Sequence, residues 1–222
     1  MIKFENITVQ TQDHLILDRV SFDIAQGEKA VFFGPSGSGK TTILMTLIGA
    51  AVPTMGTVWF DGEPLTVQSL PRLRQTMAFI CQEPVLGAPG AREALLLPFS
   101  FRANRTRMPS EKQIQQVLED LLLPCEILAK QTSVLSGGEK QRLAVARALL
   151  LEKTFFVLDE ITSALDPQSR RAVLKLFRQP ELTLISVSHD PEWLTLCTRF
   201  FKVEGGRVTT QNKPPVFRET TV

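Results

Sequence analysis

Gly34-Pro35-Ser36-Gly37-Ser38-Gly39-Lys40-Thr41 is the stretch of sequence that decides the fold of this 222-residue chain. It fits the pattern G-x-x-x-x-G-K-[ST], in which backbone N–H groups approach phosphate oxygens where a Cβ would block them. The apolar run 29–33 precedes it and predicts a buried strand, and residues 41–48 carry a helical apolar pattern. Strand, glycine-rich loop and helix in this order predict an α/β fold that holds the phosphates of a nucleotide.

The residue types of the loop indicate their roles. We expect the Lys40 ammonium to reach the β- and γ-phosphates and the Thr41 hydroxyl to bind Mg²⁺. The positive end of the helix that begins near Lys40 adds to this attraction. The expected phosphate-binding residues are Gly34, Pro35, Ser36, Gly37, Ser38, Gly39, Lys40, Thr41 and Thr42. A nucleoside triphosphate and Mg²⁺ are therefore the expected ligands.

Two carboxylates follow a second apolar run, residues 155–158. A run without polar residues is typical of a central parallel strand that is covered on both faces. Because ligands bind at the C-terminal ends of such strands, Asp159 and Glu160 are expected beside the phosphate loop. We assign Asp159 to Mg²⁺, directly or through water, and Glu160 to the attacking water as general base. Alone, the pair would be read as two solvated acids at the end of a strand; together with Lys40 the catalytic interpretation is favoured.

A second phosphate-binding pattern lies at Leu135-Ser136-Gly137-Gly138-Glu139-Lys140-Gln141-Arg142. Ser136, Gly137 and Gly138 are predicted to open a helix that runs to Leu150, so that their N–H groups and the helix dipole face an anion. One chain needs only one such loop for one nucleotide. We call residues 136–138 the second phosphate grip. It is therefore expected to bind the phosphates of a nucleotide that another molecule holds.

These motifs resemble those of the ATP-binding-cassette ATPases over nearly all of residues 1–210. Residues 135–139 match the family's signature, Gln82 its Q-loop glutamine, Ser163-Ala164-Leu165-Asp166 its D-loop and His189 its switch histidine. The resemblance implies that His189 holds the γ-phosphate or the water, and that Gln82 senses the site and contributes to catalysis and to the Mg²⁺ shell. Isolated, Gln82 and His189 would be ordinary surface residues.

The resemblance also implies an architecture and partners. We expect a RecA-like P-loop core with an antiparallel β subdomain and an inserted α-helical subdomain. The boundaries are residues 1–83 and 140–210 for the core, 84–139 for the helical subdomain and 211–222 for a loose tail. Two copies are expected to pair head to tail around ATP, on the cytoplasmic face of the cell membrane, beside a separate transmembrane permease subunit. Within the helical subdomain, residues 85–97 are expected to contact that permease.

Composition narrows the function classes. The formal net charge is only +2, so no broad nucleic-acid-binding surface is expected. No segment approaches the roughly 20 apolar residues that span a bilayer, so a membrane-spanning part would be a separate polypeptide. Two alternatives stay open beside a transporter subunit. They are a soluble cassette ATPase, such as an iron–sulfur assembly type, and a nucleotide-binding switch, against which Glu160 and His189 argue.

Two further expectations concern specificity. The chain has no tyrosine, and Thr11 occupies the region where the family usually stacks an aromatic ring on adenine. We therefore predict weakened discrimination between ATP and GTP, with His14 or a neighbouring loop as the alternative contact to the base. The runs 159–166 and 97–99 are similar to those of a small group of bacterial iron-export cassette proteins. They lie in the ATPase and not in a substrate pathway, so metal export is the weaker expectation.

Overall fold

The computed structural model describes residues 1–215, and within them it contains two β-sheets and seven α-helices. The strands are β1 (Ile2–Gln10), β2 (Leu15–Ile24), β3 (Lys29–Phe33), β4 (Met55–Phe60), β5 (Glu63–Pro64), β6 (Met77–Ile80), β7 (Phe155–Asp159), β8 (Thr183–Val187), β9 (Arg199–Glu204) and β10 (Arg207–Gln211). The helices are α1 (Lys40–Leu47), α2 (Leu70–Thr76), α3 (Ala91–Ser100), α4 (Glu111–Asp120), α5 (Gly137–Leu150), α6 (Pro167–Leu176) and α7 (Pro191–Leu194).

The larger sheet carries the phosphate loop. Its strand order is β10-β9-β3-β8-β7-β6, and all neighbouring strands are parallel except the β9–β10 hairpin at one edge. Every residue of β3, β7 and β8 is buried, and for β3 and β7 this matches the apolar runs that predicted buried strands. Since β3, β7 and β8 are adjacent and parallel, the residues that follow them meet at one edge of the sheet.

The smaller sheet is antiparallel, with the order β2-β1-β4-β5. A phenylalanine cluster joins it to the larger sheet. Phe22 of β2 packs against Phe4 of β1 with ring centroids 4.4 Å apart, and against Phe32 of β3 at 5.1 Å. Phe32 also stacks on Phe201 of β9 at 5.0 Å. Burial of these rings fixes the position of the antiparallel sheet relative to the strand that leads into the phosphate loop.

The segment between β6 and α5 is helical, and its helices share a hydrophobic cluster with α5 and the outer side of the larger sheet. Residues 110–123 carry an amphipathic apolar pattern that predicts a helix, and α4 begins as this pattern predicts, with Ser110 as its N-cap. It ends at Asp120, earlier than predicted, because Leu122 adopts a left-handed conformation with φ of 55°. Arg142 of α5 stabilises this turn by donating a hydrogen bond to the Leu122 carbonyl at 2.8 Å.

The predicted tail, residues 211–222, needs one correction. Gln211 still belongs to β10, where it pairs with Phe200 of β9, so the strand includes the first residue assigned to the tail. Residues 216–222 lie outside the described part of the chain. Among residues 1–215, no helix combines the length and the hydropathy that crossing a bilayer requires.

Candidate functional site

The phosphate loop, residues 34–41, leaves β3 and enters α1 with its backbone in conformations that favour glycine. Gly34 has φ of 149° and Gly39 has φ of 104°. A Cβ on Gly34 would lie 2.0 Å from the carbonyl oxygen of Val203, and one on Gly39 would lie 2.8 Å from the Leu17 side chain. The shape of the loop is therefore fixed by its contacts with β9 and β2.

Lys40 is buried and bends over its own loop. Its Nζ donates hydrogen bonds to the carbonyl oxygens of Gly34 at 2.9 Å and Pro35 at 2.7 Å. Burial lowers the pKa of this ammonium, while the charges of Glu160 and Asp159 raise it. The buried Ser38 Oγ has no hydrogen-bond partner among residues 1–215. A cation and an unpartnered hydroxyl in one loop fit a site that receives phosphate oxygens.

Asp159 ends β7 as predicted, and its side chain is buried. Burial raises the pKa of this carboxyl, and a hydrogen bond with the Thr41 side chain at the start of α1 opposes the rise. The strand end and the helix start thus bring one carboxylate and one hydroxyl together next to Lys40. This is a set of hard oxygen donors, which suits Mg²⁺.

Glu160 follows β7 and has φ of 45°, a left-handed conformation that is uncommon for a residue with a side chain. Its N–H donates to the Val187 carbonyl at 3.0 Å, which holds the turn against β8. Its carboxylate accepts a hydrogen bond from Gln82 Nε2 at 3.2 Å and lies 3.9 Å from His189 Nε2. The left-handed turn therefore holds the carboxylate of Glu160 between two residues that come from other strands.

His189 lies two residues beyond β8, and its side chain is partly exposed. Burial and the neighbouring Lys40 lower the pKa of its imidazole, while Glu160 raises it. A cleft of about 280 Å³ opens beside it and is lined by Glu160, Ser163 and His189 among others. The net lowering favours a neutral imidazole at pH 7, which can both donate and accept a hydrogen bond in this cleft.

The second predicted phosphate grip begins α5. Ser136 is its N-cap: Ser136 Oγ accepts from the Glu139 N–H at 3.2 Å, and Glu139 Oε2 accepts from the Ser136 N–H at 2.8 Å. The N–H groups of Gly137 and Gly138 bind no acceptor within residues 1–215. A Cβ on Gly137 would have no atom within 4 Å. The packing of this chain therefore does not itself require glycine at position 137.

Five of the predicted site residues converge at the C-terminal edge of the larger sheet: Lys40, Gln82, Asp159, Glu160 and His189. The described hydrogen bonds include none between residues 136–138 and residues 34–42.

The sequence analysis did not single out two α5 side chains that contact the segment around Gln82. They are Gln141, which is buried, and Arg147, which is half-buried. A signal was present in the sequence, because Gln141 falls on the same helix face as Ala144, Val145 and Ala148. A polar residue within an apolar stripe indicates a specific buried contact.

Comparison with known proteins decides the family. A family model described as ABC transporter matches residues 17–163. The chain belongs to this family. With the converging residues above, the match shows an ATP-binding cassette that hydrolyses ATP, an activity that is coupled to transport in this family.

Several curated relatives are similar over most of the chain. "Probable iron export ATP-binding protein FetA" of Escherichia coli strain K12 is 32% identical over 196 residues, which cover 86% of each chain. A peptide import ATP-binding protein of Brucella ovis is 35% identical over 87% of this chain but only 64% of its own length. The ATP-binding protein EcfA1 of an energy-coupling factor transporter, from Mycoplasma mobile, is 31% identical over 96% of this chain and 80% of its own. The relatives share the cassette and differ in the cargo their names describe.

Solved structures confirm the predicted fold class. A dimeric ATP-binding cassette in a post-hydrolysis state, bound to ADP and Pi, matches with a TM-score of 0.82 and 26% identity, over 97% of this chain and 100% of its own. An ATP-bound exporter of the bacterial Atm1 family matches with a TM-score of 0.80 and 25% identity, over 93% of this chain and 37% of its own. The latter chain is much longer than the cassette.

Proposed function

We propose that this chain is the ATP-hydrolysing subunit of a membrane transporter and that ATP drives two copies together head to tail. One observation supports the pairing above the others. Gly137 begins α5 with a bare N–H group and with open space where a Cβ would stand. Because the chain itself does not use this space, a phosphate held by the loop of a second copy is its proposed occupant.

The roles of the catalytic residues remain part of this proposal. Glu160 acts as general base toward the attacking water, since its carboxylate borders the cleft and is held by Gln82. His189 positions the water or the γ-phosphate, and Lys40 stabilises the charge that develops on the phosphate oxygens. Phosphoryl transfer depends mainly on such positioning and charge stabilisation, so the arrangement suits hydrolysis better than mere binding.

Mg²⁺ fits the donor set beside the loop. Thr41 and Asp159 would hold it, with Gln82 as a further oxygen donor, and the ion would neutralise charge on the β- and γ-phosphates. The raised pKa of the Asp159 carboxyl is consistent with this assignment, because a buried carboxylate gains stability from a nearby cation. The chain's own contribution is to hold carboxylate and hydroxyl together.

The proposed membrane partner is a separate permease subunit at the cytoplasmic face of the cell membrane. The helical segment between β6 and α5 supplies the contact surface, for which residues 85–97 are the candidates. Val85 supports this choice, because its apolar side chain is 82% exposed and it lies three residues after Gln82 in the sequence. A contact there would lie close in sequence to a residue that touches the catalytic carboxylate.

We propose that the transported substrate is iron and that it is exported. The FetA relative supports this proposal by its name and because the match covers 86% of both chains. The peptide import and energy-coupling factor relatives favour other cargo, so the test must identify the substrate directly. Affinity purification from membranes, followed by identification of the polytopic protein that accompanies the chain, would supply a complex for reconstitution. ATP-dependent efflux of iron from vesicles is the expected result; efflux unaffected by ATP would refute it.

Two variants test the ATPase and the pairing together. Glu160→Gln preserves the size and the Gln82 contact but removes the base, so it should bind ATP, stop hydrolysing it and elute as a dimer in size-exclusion chromatography. Lys40→Ala should lose nucleotide binding and remain monomeric. Hydrolysis by Glu160→Gln at the wild-type rate would show that the base is another residue.

A further inference from the structure

Helix α5, which starts at the second phosphate grip, is attached at two places to the segment that carries Gln82. Near its start, Gln141 Nε2 donates to the Cys81 carbonyl oxygen at 3.4 Å. Two turns later, Arg147 Nη1 donates to the Leu86 carbonyl oxygen at 2.9 Å. Both attachments go to backbone atoms, so they hold the path of the chain over residues 81–86 and not one side chain in it.

Only one of the two polar atoms of the Gln141 amide, Nε2, has a hydrogen-bond partner among residues 1–215. The side chain is 1% exposed, yet its Oε1 accepts no hydrogen bond among residues 1–215. A buried amide oxygen without a donor is unfavourable by an amount comparable to a lost hydrogen bond. A small shift of α5 against residues 81–86 that brought a donor to Oε1 would therefore be stabilised. The present arrangement holds the two elements together but does not use all the bonding capacity of Gln141.

Arg147 adds a second unusual contact. It is half-buried and binds two backbone carbonyls, of Leu86 at 2.9 Å and of Val85 at 3.5 Å, without an ion pair to a carboxylate in the described residues. Burial lowers the pKa of its guanidinium. Burying a cation without a carboxylate partner is unfavourable. That Arg147 nevertheless binds these two carbonyls indicates that α5 holds the backbone of this segment in a defined position.

We propose that Gln141 is a positioning residue that couples occupancy of the second phosphate grip to the placement of the Gln82 amide at Glu160, with Arg147 fixing the other end of the segment. The chain of contacts is short. Gln141 holds the Cys81 carbonyl, Gln82 follows directly, and its amide donates to the Glu160 carboxylate at 3.2 Å. When a second copy docks its nucleotide on Ser136–Gly138, movement of α5 is transmitted to the catalytic carboxylate of the same chain.

This inference rests on the proposed function, because it assumes that Glu160 is the base and that residues 136–138 bind the nucleotide of a second copy. A purely structural role for Gln141 is the competing explanation. The two explanations predict different effects of removing Gln82. If Gln141 acts by coupling, its loss lowers activity only when Gln82 is present. If Gln141 only packs the fold, its loss lowers activity whether or not Gln82 is present.

Gln141→Leu removes both the donor and the unpartnered acceptor while keeping similar volume, so the thermal midpoint should stay close to wild type. We expect kcat for ATP to fall about fivefold, the value of roughly one neutral hydrogen bond, with KM within about twofold of wild type. Gln116→Leu makes the same chemical change on the exposed face of α4 and is the matched control, with unchanged kcat.

The deciding measurement is a double-mutant cycle with Gln82→Ala. Coupling predicts that Gln141→Leu lowers kcat by less than about twofold once Gln82 is absent, because the two changes interrupt one path. An equal fall in both backgrounds would overturn the proposal. If Gln141→Leu does not fold, Arg147→Lys, which keeps the charge but loses the planar fork, replaces it in the same cycle.

Failure of this inference is distinguishable from failure of the proposed function. Full activity of Gln141→Leu alongside an inactive Glu160→Gln would refute only the coupling. Wild-type hydrolysis by Glu160→Gln would refute the base assignment itself.

Discussion

Gly137→Ala should stabilise the monomer and slow ATP hydrolysis by the paired copies at least about a hundredfold. In the first turn of α5 an alanine replaces glycine without strain, because the Gly137 φ is not positive and its Cβ would have no atom within 4 Å. Replacement of glycine by alanine in a helix is favourable by up to about 1 kcal/mol, which raises the unfolding midpoint of a chain of this size by about 2–4 °C.

The same methyl group would occupy the space proposed for the γ-phosphate of a second copy. A displacement of about 1 Å in a phosphoryl-transfer site costs about a hundredfold in rate, so kcat should fall at least that far. Nucleotide binding by the monomer should not change, because the loop at residues 34–41 is untouched.

The assay combines three measurements on one preparation: thermal unfolding, binding of a fluorescent ATP analogue and phosphate release at saturating ATP. Gly138→Ala is a poorer probe, since its Cβ would lie 3.1 Å from the Ala164 carbonyl oxygen and would disturb the chain itself. Wild-type turnover in a stabilised Gly137→Ala variant would refute the idea that this space receives a phosphate.

Three further predictions concern the pH dependence of stability, the contribution of a buried lysine to stability, and discrimination between ATP and GTP. The pKa of the His189 imidazole in the folded chain is lowered below its ordinary 6.5, so the unfolded chain binds this proton more readily. The free energy of unfolding should therefore rise with pH between the folded-state pKa and about 6.5. His189→Ala should flatten this rise when unfolding is measured as a function of pH. Lys29 is buried and donates to the Phe177 and Gln179 carbonyls at 2.7 Å each, so Lys29→Met should reduce the free energy of unfolding by about 1–3 kcal/mol in urea titrations. With Thr11 at the expected base position, GTP should compete with bound ATP nearly as well as ATP itself; a strong preference for ATP would contradict this.

The sequence was sufficient to predict the central strands and the helix starts. The apolar runs 29–33 and 155–158 predicted β3 and β7, and all residues of these two strands are buried. The starts of α4 at Ser110 and of α5 at Ser136 were predicted, and each serine side chain accepts a hydrogen bond from an N–H in the first turn of its helix. Signals of this kind depend on neighbours within a few residues, which the sequence displays directly.

Contacts between distant segments were harder to predict. Arg142, which is 20 residues away in sequence, donates a hydrogen bond to the Leu122 carbonyl at the turn that follows α4. The left-handed turn at Glu160 depends on its hydrogen bond to Val187 of the neighbouring strand. Local propensity favours neither conformation, so tertiary contacts decide both. The candidate site residues could be selected by motif, whereas the hydrogen bonds between them depend on the strand order, which the motifs do not give.

The lysine of the phosphate loop has a consequence for nucleotide exchange. Lys40 holds two carbonyl oxygens of its own loop, so an arriving triphosphate exchanges existing hydrogen bonds for new ones and does not order a loose segment. The net enthalpy of capture is thereby reduced, while little conformational entropy is lost. When products depart, the ammonium has these two carbonyl oxygens as partners. We therefore expect a single cassette to bind nucleotide with modest affinity and to release it quickly, so that tight retention depends on closure by a second copy.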